Sequence, residues 1–422
     1  MISCFRALVS VVPVVAALLP SGLSAQDTLQ RLEKLERENE ELRRRLDILA
    51  EEQERLELGD LVPPVGEGQY GLGPAASKVY SIQSGLSIGG YGEAIYRNFA
   101  GGTDEFDFLR AVLYFGYKFN EHWVFNSELE FEHASTSGAG SASVEFAYID
   151  YLRSDEISAR VGLVLVPMGL VNELHEPSTY LCANRPETEL RILPTTWREN
   201  GIGTFGELGD ISYCAYAVNG FDGKDFQATG LRGGRQKGSE ALAEDFALVV
   251  RADWTGKPGL LAGGSAYMGD AGQGQSSLGL GDTPVSIYEL HAEWKAGGIW
   301  LRGLGAMARV GDVSQLNTSN GFTGDESVGE ELHGFYFEGG YDVLSLLVPD
   351  SEASLSPYVR FESIDTQAEV PAGFASDPAN DFDVLTFGIQ YQPITELVFK
   401  IDYADYDRGG LDGLSLAVGY VF

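Results

Sequence analysis

From Leu86 onward, apolar and polar residues alternate along the chain. Between Asp107 and Phe119, Leu109, Ala111, Leu113, Phe115, Tyr117 and Phe119 fall on one face, with Arg110, Tyr114, Gly116 and Lys118 on the other. In the next segment Trp123, Phe125, Ser127, Leu129 and Phe131 oppose Asn126, Glu128, Glu130 and Glu132. Leu414, Leu416, Val418, Tyr420 and Phe422 form a one-sided apolar face at the end of the chain. Successive side chains of a strand point to opposite faces, so a period of two with one apolar face predicts β-strands. A sandwich also alternates, but segments of about 11 residues match a tilted strand crossing a bilayer.

About sixteen such segments can be placed, centred near residues 91, 112, 127, 148, 162, 204, 215, 250, 265, 290, 304, 337, 358, 387, 400 and 417, and an even number suits a closed barrel without edges. The connections alternate in length. Long polar ones fall near 98–104, 134–142, 168–199, 221–243, 270–283, 311–330, 365–381 and 406–411. Short turns fall at Asn120-Glu121, Ser154-Asp155, Gly209, Gly256-Lys257, Gly297-Gly298, Pro349 to Glu352 and Pro393. That asymmetry predicts an all-β transmembrane fold, a 16-stranded antiparallel barrel over residues 80–422 with long loops outside and both termini in the periplasm.

Two stretches break the alternation. Residues 26–60 carry heptads, with Leu32, Asn39, Leu46 and Gln53 at a positions and Leu35, Leu42, Leu49 and Leu56 at d positions. This predicts a helical coiled coil that oligomerises through its leucines, with the polar a residues fixing register. A lone solvated helix is the alternative. A Gly/Pro linker is expected over 61–79. The second stretch, Met168 to Glu199, is rich in charge, Pro and aromatic residues and has no period. Its Tyr180, Leu181, Leu190, Ile192, Leu193 and Trp197 predict an ordered loop that folds onto something, because disordered segments mostly lack such residues.

The first 25 residues read as a secretory signal: Arg6, a short apolar run to Leu19, and a small-residue cleavage site at Leu23-Ser24-Ala25. The mature chain then keeps Cys182 and Cys214, two thiols in an oxidising compartment that are expected either to pair or to stay free. The formal net charge of -33 argues against a nucleic-acid partner. The heptad segment holds 12 acids and 7 bases, so most of the acidic excess belongs to the barrel. Glu128, Glu130 and Glu132 share a polar strand face, which predicts an acidic lumen favouring cations. The alternative is an acid ladder satisfied by bases of neighbouring strands, for which Arg110, Lys118 and Arg160 are the lumen-lining candidates.

Other chemistry finds little support. Gly201 to Gly206 has the GxGxxG form, but strand-like sequence follows it where a dinucleotide site needs a helix. His175-Glu176 has no second His at helical spacing, and the five His are scattered, so no metal or cofactor is expected. Acid pairs such as Glu187 and Glu189 lack a nucleophile beside them, and no enzyme activity is expected. Arg232 to Gly238 (RGGRQKG) reads as a solvated external loop or as an anion-attracting patch near the mouth.

Several segments carry a family resemblance: SIGGYGEAIY (Ser87 to Tyr96), SELEFEHAS (Ser127 to Ser135), VGLVLVPMGLVNELHEP (Val161 to Pro177) and NRPETELRILPTTWRENGIGTFG (Asn184 to Gly206), with RGGRQKG. Over roughly residues 80–422 the chain resembles outer-membrane porins of the phosphate-selective porin O/P-like group, in the branch with an N-terminal coiled coil. The resemblance implies a trimeric barrel in the outer membrane of a Gram-negative-type bacterium, and a terminal Phe422 read by the barrel assembly machinery. It also implies that the third external loop folds inward and narrows the lumen. The constriction would then carry His175, Glu176, Arg185, Glu187, Glu189, Arg191, Trp197, Arg198 and Glu199, and a Cys182–Cys214 disulfide would pin the loop to the wall. An outward loop at a trimer interface is the alternative. The expected function is passive diffusion of small hydrophilic solutes or ions. The alternative is a structural protein, embedded in outer-membrane lipid, that tethers the membrane to the cell wall or a periplasmic partner through the coiled coil.

Overall fold

The computed structural model describes residues 30, 34–46, 65–66, 68–408 and 411–422. The chain forms two compact units, Met1–Asp60 and Leu61–Phe422. In the first, residues 34–46 form a helix (α1) whose Leu35, Asn39, Leu42 and Leu46 are all exposed. It carries two i,i+4 ion pairs, Lys34–Glu38 and Glu41–Arg45. Leu32, Leu49, Gln53, Leu56 and the expected signal segment lie outside the described residues.

The second unit is a sixteen-stranded closed barrel. Its strands are β1 (Gly85–Phe99), β2 (Glu105–Lys118), β3 (Trp123–Glu132), β4 (Ser141–Tyr151), β5 (Ser158–Leu165), β6 (Arg198–Leu208), β7 (Ile211–Asn219) and β8 (Phe246–Lys257), followed by β9 (Leu260–Asp270), β10 (Pro284–Ala296), β11 (Ile299–Val310), β12 (Glu331–Tyr341), β13 (Ser354–Glu369), β14 (Asp381–Ile394), β15 (Leu397–Tyr406) and β16 (Gly413–Val421). Each pairs antiparallel with its sequence neighbours, and β1 closes the ring on β16 from Tyr91↔Val421 to Phe99↔Gly413. All sixteen sequence-derived segment centres fall within these strands. Closure leaves no edge unpaired, which a bilayer core demands of backbone N–H and C=O groups.

The seam shows why glycine stands there. A Cβ on Gly90 would meet the Phe422 ring at 2.8 Å, and one on Gly92 would meet the Tyr420 hydroxyl at 2.3 Å. The two terminal aromatic rings lie directly against these glycines. The last residue is also bonded into the ring, with Phe422 N donating to Gly90 O and Gly90 N to Phe422 O.

The alternation is inside out relative to a soluble protein. Leu290, Phe337 and Phe387 point outward and are 75%, 65% and 51% exposed. Leu113, Phe115, Tyr117, Phe399 and Ile401 continue this apolar outer face. The inward positions of the strands carry buried Glu128, Asp150, Arg160, Arg302, Glu338, Arg360, Glu362 and Lys400. Long connections (166–197, 220–245, 271–283, 311–330) alternate with short turns, so one rim carries the loops.

The interior is filled. One buried apolar cluster joins wall residues such as Tyr114, Phe146 and Tyr148 to Ile192 and Trp197 of the 166–197 loop, Phe221 and Leu231 of 220–245, and Leu316 of 311–330. It also includes Leu72, Ala75, Ala76 and Val79. Residues 68–79, expected as linker, are therefore packed inside the barrel, and they run into a four-residue helical turn, α2 (Lys78–Ser81). Glycine there serves close approach to the loop carboxylates rather than flexibility. A Cβ on Gly73 would meet Glu176 Oε1 at 2.5 Å. Further short helices are α3 (Glu187–Arg191), α4 (Val313–Asn320) and α5 (Leu344–Leu347).

Candidate functional site: the loop-filled lumen

Residues 166–197 cross the inside of the barrel and bond to the wall on many sides. Met168 Sδ accepts from Ser265 Oγ of β9 at 3.0 Å. His175 Nε2 lies 3.1 Å from the Glu128 carboxylate of β3. Thr179 O accepts from Arg302 of β11 at 2.8 Å. Lys400 Nζ of β15 donates to the carbonyls of Tyr180 and Cys182 at 2.8 and 2.9 Å. Asn184 O accepts from Arg360 of β13 at 3.1 Å, and its side-chain amide donates to Ser415 of β16. A backbone without regular structure can be buried only when its polar groups are satisfied. Here inward-facing charged side chains of the strands do that.

Both limbs of the loop are tied by one side chain. Asn172 Oδ1 accepts from Trp197 N at 2.6 Å and Thr195 Oγ1 at 3.1 Å, while Nδ2 donates to Val166 O at 2.6 Å and Trp197 O at 2.8 Å. Trp197 itself is fully buried and stacks on Phe221, with ring centroids 4.5 Å apart.

The nine expected constriction residues are all in or beside this loop, but they divide into two sets. Five of them hold the loop together. His175 is buried between Asn172 O and Glu128. Glu176 accepts from the backbone N–H of Ala75 and Ala76 at 3.0 and 3.1 Å. Glu189 accepts from Val171 N and from the Tyr336 hydroxyl at 2.7 Å each. Glu199 accepts from Gln236 N at 2.8 Å, and Trp197 packs as above. Arg198 pairs with Glu145 at 2.6 Å and is buried too. Glu187, Arg191 and Arg185 remain partly open to solvent. Glu187 and Arg191 form an ion pair at 2.7 Å within α3, and the Arg191 guanidinium lies over the Phe382 ring.

The expected lumen-lining residues point inward, and all have polar partners, four of them in ion pairs. Arg110 lies 3.4 Å from Glu93 and 3.5 Å from Glu130. Arg160 pairs with Asp150 at 2.8 Å, and Lys118 donates to Tyr80 O at 3.0 Å. Glu132 accepts from Ser141 Oγ. Pairs not foreseen from the sequence continue the scheme: Arg251–Asp253 at 2.7 Å, Arg360–Glu362 at 2.8 Å, and Arg302–Glu293. Their inward phase on charged strands was the signal that could have found them. Buried pairs of this kind roughly break even against desolvation, but removing one partner strands a buried charge. In the acid ladder Glu130 is paired with Arg110 and Glu128 with His175, and Asp381, Asp383, Asp405 and Asp407 are among the acids exposed to solvent.

Two arginines stand without an acid partner. Among the described residues, Arg185 has no carboxylate partner within 4 Å, and its buried Nε and Nη2 have no hydrogen-bond partner. Arg232 Nη1 is in the same condition. Burial, then the guanidiniums of Arg235 and Arg185, push Arg232 down to about 9. Burial, then Arg198, bring Arg235 to about 10. The RGGRQKG stretch is therefore no free external loop. Arg235 donates to the carbonyls of Pro194 and Thr196, which clamps it against the end of the 166–197 loop.

The disulfide is absent: Cys182 and Cys214 are both free thiols. Cys182 donates to Glu338 Oε2 of β12 at 3.2 Å, whereas Cys214 stands on β7, five strands away around the ring. The polar contacts described above hold the loop in place of a disulfide.

Burial pushes the Glu176 carboxyl from its ordinary 4.5 up to about 7, against the opposing N–H groups of Ala76 and Ala75. The folded protein therefore binds a proton between pH 4.5 and about 7 that the unfolded chain has released. The group's stabilising effect is complete at the acid end and is lost as pH rises through the folded value. Its charged neighbours are His175, Glu128 and Lys78. The unfolding midpoint in detergent is expected to fall between pH 4.5 and about 7, and Glu176→Gln to flatten that fall; an equal slope in both proteins would contradict the assignment.

No family model matches the chain. An uncharacterized protein of Aquifex aeolicus (strain VF5) is 37% identical over 384 residues, which is 87% of this chain and 87% of that one. Among solved structures, OmpF of Salmonella typhi in complex with daunomycin superposes with a TM-score of 0.53 at 14% identity, over 80% of this chain and 97% of that one. A loop-deletion mutant of OmpT, an outer membrane protein of Vibrio cholerae, gives 0.51 at 11% identity, over 80% and 99%. At such identities these two structures speak to the barrel fold.

Proposed function

The chain belongs to the family of the Aquifex aeolicus relative, and from the closed barrel with its apolar outer face we propose that it is a passive outer-membrane channel of the porin type. The apolar outer face meets lipid. Solutes pass through the lumen under selection by width and charge, without catalytic turnover. The 166–197 loop narrows the path. A trimer with α1 helices associating through Leu35, Leu42 and Leu46 is the assembly that fits the exposed heptad leucines.

The observation that carries the selectivity is the set of guanidiniums without acid partners, Arg185 and Arg232, with Arg235 beside them. In a low-dielectric passage, local unpaired charge outweighs charge spread over the distant outer rim, because water and salt screen the latter within about 8 Å. The path therefore prefers anions despite the chain's net charge of -33. The zero-current potential across a planar bilayer under a KCl gradient tests this: the sign of chloride preference is expected, and that of potassium preference would overturn it. The acidic-lumen expectation loses its basis in the pairing of Glu130 with Arg110 and of Glu128 with His175.

The lipid-facing assignment has its own test. Phe387→Arg, at an outward position near the middle of β14, is expected to cost about 2–4 kcal/mol of folding free energy in bilayers. Equal stability of native and variant protein by reversible denaturant unfolding would remove Phe387 from the lipid face.

A further inference from the structure

We propose that residues 68–81 are a removable plug that closes the lumen from within the barrel and must leave its seat for the channel to conduct. The proposal rests on the channel reading above.

The segment touches both the wall and the loop. On the wall side, Asn126 Nδ2 donates to Ala76 O at 2.9 Å, Lys118 Nζ donates to Tyr80 O at 3.0 Å, and the Tyr80 hydroxyl donates to Asp150 Oδ2 at 2.7 Å. On the loop side, Glu176 takes the N–H groups of Ala75 and Ala76, and Gly71 approaches the Glu173 carboxylate. Leu72, Ala75, Ala76 and Val79 are no more than 3% exposed. The plug therefore fills the gap between the barrel wall and the 166–197 loop.

The segment is held in its seat by side chains of the wall and the loop. Gly116 and Gly89 let it lie close against the wall: a Cβ on Gly116 would meet Val79 Cβ at 2.6 Å, and one on Gly89 would meet Ala75 O at 2.9 Å. The segment joins no strand ladder of the barrel. Its anchors are polar: the Tyr80 hydroxyl meets Asp150, Arg160 and Tyr148, and Glu176 takes two backbone N–H groups, bonds that water replaces where the segment leaves. Its buried apolar side chains are Leu72, Ala75, Ala76, Val79 and Tyr80, the last edge-on to Tyr70.

The test uses the full chain carrying Val79→Cys and Gly116→Cys, in a background with Cys182→Ser and Cys214→Ser. A backbone adjustment of about 1 Å brings the two new Cβ atoms to disulfide separation. Planar-bilayer recording is expected to show openings reduced at least about tenfold in the oxidised protein, with full recovery on adding reductant to the same membrane. A second protein lacking residues 61–81 is expected to stay open several-fold longer, with fewer closures, at the unitary conductance of the native open state. Bonded protein that conducts as well as reduced protein would overturn the plug, as would a deletion that leaves the open probability unchanged. Silence of every form, including the deletion, would instead bring down the channel reading itself.

Discussion

Replacing Arg185 and Arg232 together by Glu turns the zero-current potential of the channel from the anion sign to the cation sign. The native lumen contains many charges, but most cancel locally. Arg110 stands against Glu93 and Glu130, Arg160 against Asp150, and Arg360 against Glu338 and Glu362. Permeating ions respond to what those pairs leave over. Arg185 and Arg232 have buried guanidinium nitrogens without partners, and among the described residues neither forms an ion pair with a carboxylate. The double substitution reverses two like charges in a passage where screening is weak. A shift of roughly tenfold or more in the chloride-to-potassium permeability ratio follows from charge at a constriction. The single changes should each give part of it. Arg198→Glu is a poor alternative, since it would leave Glu145 buried and repelled. An unchanged ratio in the double variant would place the ion path elsewhere.

The second large effect is on stability. Asn172→Ala is expected to cost about 3 kcal/mol, read as a lower denaturant midpoint in detergent, because one side chain makes four buried hydrogen bonds between the limbs of the loop. Asn172→Asp is expected to cost a similar amount, since it turns a double donor into an acceptor facing the carbonyls of Val166 and Trp197. Trp197→Ala, which empties the stack on Phe221, belongs in the range of about 3–5 kcal/mol. If Asn172→Ala unfolds like the native protein, the two limbs are held by packing alone.

The barrel was legible because its physics is periodic. A wall with lipid on one side and polar groups on the other writes a period of two into each strand. Strand count and loop parity then follow from contrasts such as Leu113 against Tyr114 in β2, or Leu129 against Glu130 in β3. The loop's inward course was legible only through resemblance, since no period encodes it. Which of its residues face the path was not legible at all. Glu189 and Glu176 look like constriction acids in sequence, but the fold gives them to backbone N–H groups and a tyrosine. Arg185 and Arg232 look no different from Arg198, which is paired. Pairing depends on strands far apart in sequence. The same limit hid the inward packing of residues 68–81: a Gly- and Pro-rich stretch reads as linker, and its glycines prove to be contact surfaces only once Glu173 and Glu176 stand beside them.

The central claim is that ions pass through this barrel, and single-channel recording of the purified native protein tests it most directly. Stepwise, ohmic conductance with chloride preference is the predicted result. A correctly folded protein that inserts into the bilayer and never conducts, with residues 61–81 present or deleted, would contradict it.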